Sequence, residues 1–328
     1  MMLNYPSPSD LKRSLLSLTS GLGGNFIAKG LLKKNPRILM FHKVVIDSDN
    51  DTMGHISLAL FTKLVAYLSQ NYNLLTLRQM VENYRVHGCF DDNALAMTFD
   101  DGFVNFRDVV APVLNAIKAP STIFICPELV NRGETLWTEV VSRAFRRGAI
   151  RKKGGELGTV IGHLKSLPSV DRLREMKEFI DFEMPYMNDD SKVPESDLMT
   201  WSDIAELQSS GRVEIGSHTL THPVLSKESA EQSMFEIVES KRLIENKLGT
   251  EVASFCFPFG QHGDFSQRDV DLVKSCGYQC AVTSNFGVVG AKADRFQLPR
   301  IGADFSSFPQ GRKYVDGVEY FQRKLFGD

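Results

Sequence analysis

The chain alternates short, nearly unbroken apolar runs with longer stretches whose apolar residues recur at helical spacing. The runs are Arg37-Ile38-Leu39-Met40-Phe41, Leu74-Leu75-Thr76-Leu77, Ala94 to Phe99, Thr122 to Ile125, Val213 to Gly216, Ser254 to Phe257, and Ala281 to Thr283. Near-continuous apolarity is what strands covered on both faces require, and that is the environment of a parallel sheet. Between the runs, Phe61, Leu64, Val65 and Leu68 share one helical face, as do Met234, Ile237, Val238, Lys241, Ile244 and Leu248. Lys241 would extend its charge to solvent from the apolar stripe. Thr200 is placed to N-cap a helix starting at Trp201, and Gly249 and Gly277 stand where helices end. The alternation predicts α/β architecture, a parallel sheet with right-handed crossovers, and the chain's length suits one α/β barrel or two small domains.

One interval breaks the alternation. Residues 132–198 contain no convincing strand, only helical segments around Trp137–Phe145 and Asp171–Phe182 joined by a basic turn. It reads as a mostly helical insertion on the barrel. Residues 1–35 read as an N-terminal helical extension and 36–328 as the barrel domain. In the extension, Leu15-Leu16-Ser17-Leu18 is mildly amphipathic and Lys29, Lys33, Lys34 and Arg37 follow, a pattern compatible with peripheral membrane contact. Gly21-Leu22-Gly23-Gly24 follows no strand and reads as a flexible turn.

Composition narrows the function classes. The 328 residues are 42% hydrophobic and 24% charged, enough to bury a sizeable core. A formal net charge of −2 gives no basic surface for nucleic acid. No apolar run reaches the roughly 20 residues of a membrane helix, and no secretion signal is evident, so a cytoplasmic location is expected. Five scattered cysteines, Cys89, Cys126, Cys256, Cys276 and Cys280, read as free thiols in a reducing compartment. The oligomeric state is unconstrained.

The polar residues fall after the strands. His42 follows the first run, Asp100 and Asp101 the third, His218 and His222 the fifth, Pro258-Phe259-Gly260 the sixth, and Asn285 the last. The C-terminal strand ends are where a parallel barrel builds its site. Asp100 and Asp101 abut at the end of an apolar strand, and each raises the cost of ionising the other. A cation removes that cost. Two His and one Asp make a three-ligand metal set, with the second Asp free as a proton acceptor. Pro223 disfavours a helix at His222, so the His pair should sit on a turning segment.

Thr98-Phe99-Asp100-Asp101-Gly102, then His218-Thr219-Leu220-Thr221-His222-Pro223, then Phe257-Pro258-Phe259-Gly260 resemble, in order, the first three motifs of the polysaccharide deacetylases (NodB-homology, carbohydrate esterase family 4). The resemblance spans roughly Ile38 to Ile301. It implies a distorted (β/α) barrel of about seven parallel strands and a divalent metal, usually zinc with cobalt, nickel or manganese as alternatives, held by Asp101, His218 and His222. It implies Asp100 as general base and the Phe259 N–H, beside Pro258, as oxyanion donor. Two departures stand out. Cys256 occupies the place of the family's Arg, for which Arg300 is the candidate replacement. The family's late His is absent, and His42 is the candidate general acid with His262 in reserve. Phe103, Trp137, Trp201, Phe259 and Phe286 are candidate sugar-stacking rings. The implied reaction removes acetyl groups, N-acetyl foremost, from an amino-sugar glycan or its precursor. The alternatives are an inactive carbohydrate-binding relative and a non-haem Fe(II) oxygenase, which shares the two-His, one-carboxylate set.

Overall fold

The computed structural model describes residues 23–46, 56–146, 148–150, 156–180, 196–302 and 306–326. Eight parallel strands form the main sheet: β1 (Arg37–Phe41), β4 (Asn73–Leu75), β5 (Ala94–Phe99), β6 (Ser121–Ile125), β7 (Val213–Ser217), β8 (Ser254–Cys256), β9 (Cys280–Phe286) and β10 (Leu298–Arg300). Seven follow one path, β1-β5-β6-β7-β8-β9-β10, and β4 pairs with the first half of β5. A parallel bridge between Leu39 and Ile301 returns the far edge to β1, so the sheet is nearly closed into a barrel. A separate ribbon pairs β2 (Val44–Val45) with β3 (Ile56–Ser57). The expected distorted (β/α) barrel is therefore the fold.

Strand parity sorts the apolar runs into two layers. Leu39, Leu95, Met97, Phe99, Ile123, Ile125, Ile215, Phe255 and Ala281 face outward into the main core beneath the helices. Ile38, Ala94, Ala96, Phe124, Cys256, Cys280, Val282 and Leu298 face the barrel interior. Alternation on every strand yields both faces, and the interior set is rich in Ala and Cys because the lumen is narrow. Leu77, Met80 and Val81 of the helix Leu77–His87 join the interior cluster and plug the N-terminal end.

Several expectations need correcting. β10 was not anticipated, because Leu298-Pro299-Arg300 is too short and mixed to signal a strand. Thr76 and Leu77 are not strand residues: the Thr76 side chain accepts from the Gln79 N–H and starts a helix with a capping box. Asn285 lies within β9 rather than after it. On the helix Ala230–Leu248 the buried stripe is Ser233, Glu236, Ile237, Ser240 and Ile244, while Met234 is exposed. Lys241 does not reach solvent freely; it pairs with Glu245 at 2.8 Å and donates to the Val252 carbonyl. Thr200 does cap the helix Trp201–Ser209, and Gly249 takes the left-handed C-cap conformation.

The interval 132–198 is helical where described, with helices Trp137–Arg146, Leu157–Lys165 and Ser169–Phe179. Trp137, Val141, Ala144, Val160, Leu164 and Met176 give it a small core of its own. The stretch Leu15–Leu18 and the first two glycines of the Gly-rich turn lie outside the described residues. Gly23 is left-handed and leads into the helix Gly24–Leu31.

Gly216 shows how tightly the interior is filled. A Cβ there would lie 2.5 Å from the Phe124 ring and 3.0 Å from the Ser254 carbonyl. Gly216→Ala is expected to lower stability by about 1–3 kcal/mol, the usual cost of overpacking, in urea unfolding at neutral pH. An unchanged midpoint would show that the Phe124 ring yields freely.

Candidate active site

Interior parity carries the site. On β5 the inward positions Ala94, Ala96 and Thr98 lead to Asp100; on β1, Ile38 and Met40 lead to His42; on β7, Glu214 and Gly216 lead to His218. Cys256 on β8 and Arg300 on β10 hold the same parity. Five residues spread over more than 250 positions thus converge at the C-terminal mouth of the barrel because each extends an inward row.

Asp100 is 3% exposed, and its carboxylate accepts two hydrogen bonds from Arg300, Nη1 to Oδ1 and Nη2 to Oδ2, both at 2.7 Å. Arg300 is fully buried. It also donates to the Thr98 hydroxyl at 3.0 Å, the Thr283 carbonyl at 2.8 Å and the Cys256 sulfur at 3.2 Å. A bidentate, fully desolvated Arg–carboxylate pair is a strong and directional contact. Burial alone would raise the Asp100 pKa, but the Arg300 guanidinium, with His218 and His42, holds it below the usual carboxylate range. His42 Nε2 lies 3.9 Å from Asp100 Oδ2, and the His42 ring is 38% exposed at the mouth.

Asp101 turns away from that pair. Its φ of 76° and the 77° of Gly102 reverse the chain after β5. Asp101 Oδ1 comes to lie 3.5 Å from His218 Nε2 and 3.4 Å from His222 Nε2. These separations are too long for good hydrogen bonds, and Oδ1 is a buried oxygen with no hydrogen-bond partner. They match the spacing of two ligands about 2.0–2.1 Å from a shared tetrahedral centre, which is about 3.4 Å. His218 Nδ1 is engaged by the Cys256 carbonyl at 2.8 Å, which leaves its Nε2 to the trio. The donor set, two imidazoles and one carboxylate, suits a divalent metal. Asp100, His218 and Cys256 also cluster, but Arg300 already neutralises the Asp100 charge and burial raises the Cys256 pKa, so that group is the weaker ligand set.

Burial disfavours a proton on either imidazole. At His222 it prevails and pushes the pKa down to about 3. At His218 the contacts with Cys256 and Asp101 outweigh it and raise the pKa. A cation needs both rings neutral.

The turn carrying the His pair is held by a residue the sequence did not flag. Glu236, 2% exposed, accepts from the Leu220 and Thr221 N–H groups at 2.8 and 3.0 Å and from the Thr221 hydroxyl at 2.6 Å. A lone Glu on an amphipathic helix carries no signal of burial. Among the described residues, six non-glycines have positive φ, and four of them, Asp101, Thr219, His222 and Phe259, are in these loops. Backbone strain concentrated in one place marks a functional site.

Phe259 packs edge-on to His222, centroids 4.9 Å apart. His262 is exposed on the turn beyond it. Of the candidate stacking rings, Phe103 and Trp137 are buried, Trp201 donates to Asn131 at 2.8 Å, and Phe286 packs on Tyr314. Phe103 and Trp137 are thus walls rather than sugar platforms.

The family model described as "Polysaccharide deacetylase" matches residues 87–281, which hold Asp100, Asp101, His218, His222 and Phe259 but neither His42 nor Arg300. Among solved structures, the Streptococcus pyogenes deacetylase PplD in complex with acetate is 16% identical, with TM-score 0.58 over 81% of this chain and 91% of that one. A de-N-acetylase from Aggregatibacter actinomycetemcomitans is 18% identical, with TM-score 0.58 over 83% and 96%. IcaB from Ammonifex degensii is 15% identical, with TM-score 0.58 over 86% and 97%. At such identities these likenesses speak for the fold. No curated protein sequence matches the chain.

Replacing Arg300 with Met leaves Asp100 buried and unpaired, a change that costs about 3–5 kcal/mol. Asp100 has a depressed pKa in the fold, so the pair's stabilisation is complete above the unfolded carboxylate value near about 4 and fades as pH falls through the folded value. In the variant the sign inverts: protonating Asp100 relieves the buried charge. The deficit of Arg300→Met, measured by urea unfolding, should therefore be largest at pH 7 and shrink toward pH 4. A deficit independent of pH would mean that Arg300 contributes packing alone.

Proposed function

The chain belongs to the polysaccharide deacetylase family, and from that premise we propose that it is a metal-dependent hydrolase that removes N-acetyl groups from an amino-sugar glycan or glycan precursor. Family membership makes it a hydrolase of acetylated glycans. The 3.4–3.5 Å convergence of Asp101, His218 and His222 on an unpartnered buried oxygen is the observation that carries the metal dependence. Zinc is the metal that best suits two imidazoles and one carboxylate, three protein ligands leaving a position open for catalysis.

An amide is a poor electrophile, and the cation held by Asp101, His218 and His222 supplies Lewis-acid polarisation. The protein's own groups do the rest. Asp100, ionised and clamped by Arg300, takes the proton of the attacking water. The clamp keeps its carboxylate plane from rotating, so the base needs no reorientation as it reacts. The Phe259 N–H, held by a left-handed backbone with φ 60°, is the donor assigned to the developing oxyanion. His42, exposed at the mouth and 3.9 Å from Asp100, donates a proton to the departing amine. His262 lies exposed on the following turn. Five free thiols support a reducing compartment. Among the described residues, no helix is long and apolar enough to cross a membrane.

The inactive-relative reading loses one of its two supports, the missing Arg, because a guanidinium does face Asp100, from β10 instead of β8. The oxygenase reading expects a β-sandwich and leaves Asp100 without a task.

Acetate release from chitooligosaccharides and from O-acetylated glycans, with and without added zinc, tests the proposal. Asp100→Asn should lose about 10²–10⁴-fold in rate with metal uptake retained, and His218→Ala should lose the metal. Zinc uptake without acetate release from any acetylated glycan would overturn the hydrolase reading. His42→Ala should bind zinc normally yet turn over about 10²–10⁴-fold more slowly; unchanged turnover would remove His42 from the mechanism.

A further inference from the structure

The helical insertion takes no part in the chemistry above, yet it touches both loops that carry it. Trp137, the first residue of the helix Trp137–Arg146, donates from Nε1 to the backbone carbonyl of His222 at 3.3 Å. Its ring centroid lies 5.8 Å from that of Phe259, which in turn abuts the His222 imidazole. The Arg172 guanidinium sits 4.7 Å from the Trp137 ring on the opposite helix of the insertion. Lys165 lies 4.5 Å from the Phe259 ring and pairs with Asp264 at 2.7 Å on the same loop. The contact also runs the other way. Glu228, in the segment after His222, accepts from the Ser169 N–H at 2.8 Å and its hydroxyl at 2.6 Å, at the start of the helix Ser169–Phe179.

Trp137 is 7% exposed and Arg172 3%, so neither side chain is free to meet a glycan. Their task has to be exerted through their neighbours. Those neighbours, His222 and Phe259, hold left-handed backbones with φ 61° and 60°. For non-glycine residues that conformation is strained and persists only where the surroundings over-determine it. Trp137 touches both.

We propose that Trp137 is a positioning residue for the metal site: the insertion, through Trp137 and the Arg172 stacked on it, holds His222 in its ligating orientation and Phe259 in its oxyanion-binding one. This inference rests on the assignment of His222 as a metal ligand. It makes the insertion a wall of the site rather than a decoration on the barrel.

Zinc titration calorimetry on the metal-stripped full chain tests it, read beside the steady-state parameters. Outer partners of metal ligands are worth about 10–100-fold in metal affinity, and Trp137→Ala should weaken zinc binding by that order. Trp137→Phe keeps the ring and loses only the N–H, and should weaken it several-fold; this variant decides the question if Trp137→Ala does not fold. Val160→Ala thins the same small core from the helix Leu157–Lys165 and serves as the comparison. It should leave zinc affinity at the wild-type value. Zinc affinity indifferent to both Trp137 changes, or lowered equally by Val160→Ala, overturns the inference. Zinc uptake abolished by His218→Ala but untouched at Trp137 overturns this inference alone. A wild-type chain that takes up no zinc overturns the metal-site reading and this inference with it.

Discussion

Two adjacent buried carboxylates cannot share one counter-charge. Asp100 and Asp101 follow each other at the end of β5, 3% and 8% exposed, and each needs its own compensation. The chain satisfies them in opposite directions. Asp100 keeps the inward parity of its strand and meets Arg300 across the barrel interior. Asp101 leaves that parity through a left-handed turn and meets His218 and His222. Most of what surrounds the mouth follows from this division. The near-closure of β10 on β1 brings the guanidinium within reach, Glu236 ties down the His turn, and the small Cys256 leaves room for Arg300 beside it.

The division also gives the two carboxylates different chemistry. A carboxylate gripped at both oxygens by Arg300 stays ionised and fixed in plane, which suits a base. One with an unpartnered buried oxygen facing two imidazoles suits a ligand. The insertion adds a third layer. Its helices do not resemble the barrel in pattern or in core, yet Trp137 and Glu228 lock it to the strained loop between β7 and the helix Ala230–Leu248.

Much of this was legible in the chain, and the limits have physical causes. Strands buried on both faces announce themselves by apolarity, so β1, β5, β6 and β7 were placed almost to the residue. β10 was not, because its pairing with β9 and its bridge to β1 come from barrel closure and not from local propensity. The helix Ala230–Leu248 is plain in the periodicity, but its rotation differs from the one periodicity predicts. Hydrophobicity put Met234 inside; the unpaired N–H groups of Leu220 and Thr221 draw Glu236 inside instead, and Met234 turns out to water. The same periodicity points Lys241 to solvent, whereas Glu245 and the Val252 carbonyl hold it. A hydrogen-bond demand from a distant loop cannot be read from a helix's own periodicity.

The sequence by itself determined the strand–helix alternation, the family motifs, and the four residues Asp100, Asp101, His218 and His222, because strand parity and motif order are local properties of the chain. Only the tertiary structure decided which partner each acquired. Arg300 stands 200 residues from Asp100, and Trp137 stands 85 from His222. Nothing in either neighbourhood specifies the other. Their meeting depends on where a nearly closed barrel returns its last strand and where an insertion settles, and both are set by packing summed over the whole molecule.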